Sequence, residues 1–119
     1  MKATELMIGD YITVTPSGML IQVAAVHKKK VAYHTCTSKL SLVREGLLRP
    51  IPLTPEILEK NGFSVNYHED DLCYAQSCGD VIGIHIYGTN GLMEEMYFKY
   101  VHELQHALRL CGIEKEIIL

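Results

Sequence analysis

Two histidines in the segment YVHELQHAL have the spacing that zinc peptidases use on a helix. His102 and His106 lie four positions apart, and Glu103 follows the first of them, which completes the pattern His-Glu-x-x-His. Side chains at positions i and i+4 share one helix face, so both imidazoles could bind one Zn²⁺ while the glutamate acts as general base. The pattern therefore raises the hypothesis of a zinc peptidase.

A catalytic zinc needs a third protein ligand, and the sequence after the motif does not supply one at the expected place. The 13 residues after His106 contain no histidine, and their acids, Glu114 and Glu116, lie beyond the predicted helix. The sequence therefore supports the zinc peptidase least among the functions considered. We assign no catalytic residue, no metal site and no cofactor, and we expect His102 and His106 to flank a buried helix face, with His102 the more buried.

Hydrophobic periodicity predicts the elements that carry this segment. A helix from about Tyr100 to Cys111, ended by Gly112, would bury one apolar stripe, formed by Val101, Leu104, Ala107, Leu108 and Cys111. Before it, VIGIHIY and Leu92 to Phe98 flank the turn GTNG, which predicts an antiparallel hairpin. Its predicted register sets residues 82, 84 and 86 opposite residues 98, 96 and 94. The alternative is that residues 92–98 begin the final helix.

The first half of the chain alternates apolar and polar residues in short runs, which is typical of strands. The runs cover residues 11–15, 20–26, 31–36 and 40–43. Pro50 and Pro52 then indicate an extended connector, and Thr54-Pro55-Glu56 begins a short helix that Asn61-Gly62 ends. The predicted fold class is α+β: a small SH3-like curled antiparallel sheet, a short helix, then antiparallel strands packed by a C-terminal helix.

Length and composition predict one α+β domain over residues 1–119, with a β-rich half at 1–49 and a second half at 50–119. Hydrophobic residues make up 48% of the chain, yet no apolar run is long enough to span a membrane, and residues 1–10 do not resemble an export signal. We therefore expect a cytoplasmic protein without a membrane partner. Its cysteines are expected to be reduced thiols, with Cys73 and Cys78 structural.

Charge is distributed unevenly along the chain. Residues 1–50 contain seven Lys and Arg and three Asp and Glu, whereas residues 51–119 contain four and eleven. Such asymmetry could attract an anionic ligand to one side, or pair subunits head to tail in a homo-oligomer. The short Lys28-Lys29-Lys30 run is typical of a solvated bend, and a pI near 6.0 does not favour nucleic-acid binding.

Aromatic and basic side chains favour a binding function over an enzyme, since no phosphate-loop or nucleophile-elbow motif is present. Bases stack on tyrosine and histidine rings, and arginine pairs with phosphate in a bidentate manner. We therefore predict a non-enzymatic protein that binds a small anionic or nucleotide-like ligand. A protein–protein interaction module is the alternative. The candidate ligand-binding residues are Tyr33, His34, Arg44, Arg49, His85, Tyr87, Tyr97 and His102.

Three segments of the chain resemble a known family. IGDYI, PIPLTPEILEKNGF and YVHELQHALRLCG occur in the same order in a family of small uncharacterised proteins of Bacteroides-type bacteria, their prophages and phages. Its C-terminal motif, Tyr-Val-His-x-Leu-Gln, corresponds to residues 100–105, and the position of His106 more often holds asparagine. The resemblance implies an intracellular protein of a mobile element. In that setting, the ligand would be a sequestered defence signal, or the partner a host protein that is inhibited.

Overall fold

The computed structural model describes residues 1–65, 72–74, 81–87, 93–113 and 115–119. The chain divides into two compact units, Met1–Ile51 and Pro52–Leu119, each with its own sheet. The division falls close to the change of pattern that the sequence predicts between residues 49 and 50. The α+β class is confirmed, because strands in mainly antiparallel sheets accompany two α-helices. That both units form a single domain stays a prediction.

The first unit is a five-stranded antiparallel sheet in the order β4-β3-β2-β1-β5. One 3-10 turn, Ala3–Glu5, precedes the strands, and a second, Glu45–Leu47, lies between β4 and β5. The four predicted strands are confirmed, whereas the fifth is a strand that the sequence did not predict, since two residues are too few for alternation to show. The strands are β1 (Tyr11–Val14), β2 (Met19–His27), β3 (Lys30–His34), β4 (Leu40–Arg44) and β5 (Leu48–Arg49).

Alternation along these strands builds the core of the first unit, because successive side chains point to opposite faces of a sheet. The buried cluster consists of Ala3, Leu6, Ile12, Val14, Ile21, Val23, Val31, Val43 and Leu48. A buried carboxylate fixes the turn into β1: Asp10 Oδ2 accepts a hydrogen bond of 2.8 Å from the Met7 amide. Gly9, at φ +94°, donates its amide to the Val23 carbonyl. These contacts give IGDYI a structural role.

The second unit has a four-stranded sheet in the order β6-β7-β8-β9, with β6 and β7 parallel and the other pairs antiparallel. The predicted register is confirmed, since Ile82 pairs with Phe98, Ile84 with Met96 and Ile86 with Glu94. The alternative that residues 92–98 begin the final helix is wrong. The predicted GTNG turn and Cys78 lie outside the described residues. The elements are α1 (Pro55–Lys60), β6 (Ser64–Val65), β7 (Leu72–Tyr74), β8 (Ile82–Tyr87), β9 (Met93–Phe98) and α2 (Val101–Leu110).

Helix α2 buries the predicted apolar stripe with one correction. Val101, Leu104, Ala107 and Leu108 are buried, but Cys111 is exposed. Cys111 is the C-cap residue and lies beyond Leu110, the last residue of the helix, so the buried stripe ends before it. In the described part of the chain, no helix has the length and apolar character that crossing a bilayer requires.

Helix α1 follows the predicted capping pattern. Thr54 Oγ1 accepts the Ile57 amide at 3.3 Å, Pro55 occupies the first helical position, and Gly62 has φ +86°. The left-handed backbone at Gly62 suits glycine, which has no Cβ to clash.

Asn61 holds the C-terminal segment against the end of α1. Its Nδ2 group donates to the carbonyls of Ile57 and Ile118, both at 2.8 Å, and its Oδ1 atom accepts the Ile118 amide at 2.7 Å. The side chain is buried, and the neighbouring Ile117 is 1% exposed. Asn61 therefore joins segments separated by 57 residues through backbone groups, which no local sequence pattern indicates.

We predict that Asn61→Asp destabilises the protein by about 2 kcal/mol, because a buried carboxylate cannot donate to the Ile57 and Ile118 carbonyls, and the Ile118 carbonyl loses its side-chain donor. Urea unfolding followed by circular dichroism measures this change. Ile118→Ala is the matched control, since the Ile118 side chain is exposed and its backbone bonds remain. Equal stability of the Asn61→Asp variant and the parent protein would show that these hydrogen bonds do not hold the segment.

Candidate functional site

Glu103 of the zinc-peptidase pattern caps the N-terminus of α2. Its Oε1 atom accepts the backbone amides of Lys99 at 3.0 Å and Tyr100 at 2.9 Å. Tyr100 is the N-cap residue, so Glu103 occupies the third helical position, from which a carboxylate can reach back to amides before the first turn. The glutamate therefore has a structural explanation that does not involve a metal.

His102 and His106 are neighbours on α2, and His102 is the more buried, as predicted. The His102 side chain is 6% exposed, and its ring stacks on that of Tyr100 with centroids 5.9 Å apart. The His106 ring meets His102 edge-on at 5.6 Å. In the described ranges, no group of three or more His, Cys, Asp or Glu side chains is placed to hold a metal ion. Each of the two rings therefore takes part in aromatic packing.

Tyr33 and His34 lie side by side in the first unit. Tyr33 is half-buried and packs against the core cluster, while His34 is exposed. Both line a shallow pocket of about 310 Å³ beside Met19, Leu20 and Cys36. The structure thus brings these two predicted residues together, although the tyrosine ring is partly used by the core.

The two predicted arginines of the first unit have different surroundings. Arg49 Nη1 donates to the carbonyls of Gly46 at 3.1 Å and Leu48 at 2.8 Å, so its guanidinium holds the turn before β5. Arg44, at the end of β4, is exposed and lines a separate groove. Arg44 is therefore the predicted arginine that is better placed to contact a ligand.

The other predicted residues lie in the second unit. His85 and Tyr87 belong to β8, where their backbones pair with Glu95 and Met93, and their side chains are outside the described part of the structure. Tyr97 is 63% exposed and lies opposite Gly83, while His102 is buried in α2. Tyr97 alone among the described members of this group presents an accessible ring.

An open groove of about 800 Å³ lies at the β4 side of the first unit. Leu42 and Leu47, 66% and 45% exposed, give it an aliphatic surface. Its cationic side chains are Lys29, Lys30 and Arg44. The complete lining is Val14, Lys29, Lys30, Leu42, Val43, Arg44, Glu45, Gly46 and Leu47.

The positive charges of this groove have no acidic partner within the described residues. Lys30 lies directly opposite Arg44 in the β3–β4 register, and like charges in such a position repel each other. Glu45, the acid of the lining, accepts the Ala3 amide at 2.9 Å. The groove therefore combines unmatched positive charge with an exposed aliphatic surface.

The sequence identified Arg44 but missed the lysines of the groove. In the sequence the Lys28-Lys29-Lys30 run is typical of a solvated bend, and no local pattern pairs Lys30 with a residue fourteen positions later. The alternation of the two strands does indicate this pairing. If Val31 and Val43 pair on the core face, Lys30 and Arg44 must pair on the other face.

No protein-family model, curated protein or solved structure matches this chain. The resemblance to the phage-associated family therefore stays a prediction.

We predict that Glu103→Ala lowers the free energy of unfolding by about 1 kcal/mol, because two amides at the start of α2 lose their acceptor. Glu103→Gln retains an acceptor oxygen and is expected to cost less. Both values come from urea unfolding. If the carboxylate played no capping part, Glu103→Ala would be neutral or stabilising, since alanine has the higher helix propensity.

Proposed function

We propose that the protein is a non-enzymatic binding module that holds an anionic ligand in the groove of its first unit. The observation that carries this proposal is the cluster formed by Lys29, Lys30 and Arg44, which has no acidic partner in the described part of the chain. An anion between Lys30 and Arg44 would remove the repulsion between them. Arginine would add bidentate hydrogen bonds to a carboxylate or phosphate.

The surrounding chain supports this location. The first half carries the positive charge excess, which steers anions towards this unit. In the setting that the family resemblance implies, the ligand would be a small anionic or nucleotide-like signal sequestered in the cytoplasm of a bacterial host. Sequestration requires no catalytic residue, only affinity.

We infer also that the first unit is an SH3-like curled sheet. Strand β1 pairs with both β2 and β5, and a 3-10 turn leads into β5. When the last strand of a small meander returns to pair with the first, the sheet curls towards a barrel. The groove lies beside the turns into β3 and β5, and its lining includes the core residues Val14 and Val43.

The second candidate function is a protein–protein interaction module. Such a module would either inhibit a host protein or form a homo-oligomer. Leu40 and Leu42, 62% and 66% exposed, favour it, because neighbouring apolar side chains on a strand at the edge of a sheet are typical of contact surfaces.

We predict that the protein binds tripolyphosphate at low ionic strength, and that Lys30→Gln and Arg44→Gln each weaken this binding by about fivefold. Isothermal titration calorimetry measures the dissociation constants. Lys39→Gln is the matched control, because Lys39 is an exposed cation of the same unit outside the groove lining. Added salt is expected to weaken binding further.

Two results would contradict the proposal. The first is a failure of tripolyphosphate to bind at all, and the second is a Lys39 variant that loses as much affinity as the groove variants. The second result would indicate a diffuse attraction to the net charge of the unit instead of a site.

A further inference from the structure

The lining of the groove restricts the chemistry of its ligand. Beside the cations and Glu45, its side chains are aliphatic, and no aromatic ring of the described residues contributes to it. A nucleobase binds well where it can stack on an aromatic face, and the described lining offers no such face. Leu42 and Leu47 instead suit aliphatic groups, such as the side chains of leucine or valine in a peptide.

Strand β4 offers a backbone as well as side chains. It ends the order β4-β3-β2-β1-β5, and among the described residues it pairs with β3 alone. An edge strand leaves alternate N–H and C=O groups directed away from the sheet, where another strand can pair with them. The strand, LSLVR, has no charge or proline within it to block such pairing, and its one charged residue is the terminal Arg44.

We propose that the groove binds an acidic peptide segment in extended conformation, which adds a strand to the free edge of β4. This inference rests on the proposed anion-binding groove, and it names a peptide in place of a nucleotide-like molecule as the ligand. Charge complementarity selects the acidic peptide, since Lys30 and Arg44 lie opposite each other on the face where the peptide would place its acid, and Lys29 lies in the same groove lining. Main-chain hydrogen bonds to β4 supply affinity, and alternate side chains supply specificity.

The alternation of β4 predicts the sequence of the peptide. Leu40, Leu42 and Arg44 are exposed on one face, and Val43 is buried on the other. Residues opposite each other in paired strands lie on the same face. An added antiparallel strand would therefore place an acid opposite Arg44 and aliphatic residues opposite Leu42 and Leu40. In the N-to-C direction the peptide reads acid-x-aliphatic-x-aliphatic.

The test uses a fluorescein-labelled peptide, Thr-Glu-Thr-Val-Thr-Leu-Thr, with the full-length protein in fluorescence anisotropy. Two further peptides carry N-methyl groups on alternate residues, one in each phase. Because amides of one phase alone face β4, we expect one N-methylated peptide to bind about tenfold more weakly and the other to bind like the parent peptide. Equal binding by both N-methylated peptides would overturn strand addition.

Variants separate this inference from the proposed function. Leu42→Thr removes aliphatic surface without changing charge, so it is expected to weaken binding of the peptide several-fold more than binding of tripolyphosphate. Leu20→Ser on β2, another exposed leucine of the sheet, is the matched control and is expected to change neither. Arg44→Gln is expected to weaken both ligands.

The remaining outcomes distinguish the proposed anion-binding function from the inference that the ligand is an acidic peptide. Binding of tripolyphosphate without binding of the peptide would overturn the inference and leave the proposed function standing. Failure of both ligands to bind would overturn both. Sedimentation velocity measures self-association of the protein. Self-association that Leu42→Thr abolishes would show that a second copy of the chain pairs with β4, and it would overturn the inference that the ligand is a separate peptide.

Discussion

The candidate site depends on the register in which β3 pairs with β4. Val31 and Val43 face each other and are both buried, so the hydrophobic effect holds these strands in one alignment. Because side chains alternate, that alignment forces the neighbouring pair, Lys30 and Arg44, onto the exposed face. A slip of β4 by one residue would turn Arg44 towards the core and expose Val43. The positive groove is thus a geometric consequence of the core.

This register has an electrostatic cost that a ligand can remove. Two like charges directly opposite each other on a sheet are unfavourable, although long, solvated side chains keep the cost small. Any anion that binds between Lys30 and Arg44 in the folded state, and not in the unfolded chain, also stabilises the fold by mass action. Binding and stability are therefore coupled at β4, which pairs with no strand other than β3 in the part of the chain that the structure describes.

Local signals in the sequence were enough for much of the fold. Thr54, Pro55 and Gly62 define α1 within a few residues, and the alternation of residues 82–98 determines a hairpin register because only one pairing keeps the isoleucines on a common face. Contacts between distant residues could not be predicted in this way. The local sequence indicates only that Asn61 ends a helix, whereas its side chain also forms a hydrogen bond with the backbone of Ile118. Strand β5 has two residues, too few for an alternating pattern to be recognised.

For the candidate site too, local signals predict part of the arrangement, and contacts between distant residues provide the rest. Arg44 was found by residue type alone, while Lys29 and Lys30 become part of a site only after two hairpins place them beside β4 and the turn that follows it. Tyr33 shows why residue type alone does not decide a role, since its ring packs against the core cluster and also lines a pocket with His34.

The zinc-peptidase pattern shows why position within a helix matters as much as spacing. His-Glu-x-x-His specifies which residues share a face, but not where the helix begins. Here α2 begins at Val101, so Glu103 falls in the first turn, where amides without helical acceptors compete for its carboxylate. Glu103 Oε1 already accepts two of them. To act as a general base through that oxygen, Glu103 would have to give up the hydrogen bonds that cap the start of α2. Because α2 carries both histidines, losing this cap would destabilise the helix that positions them.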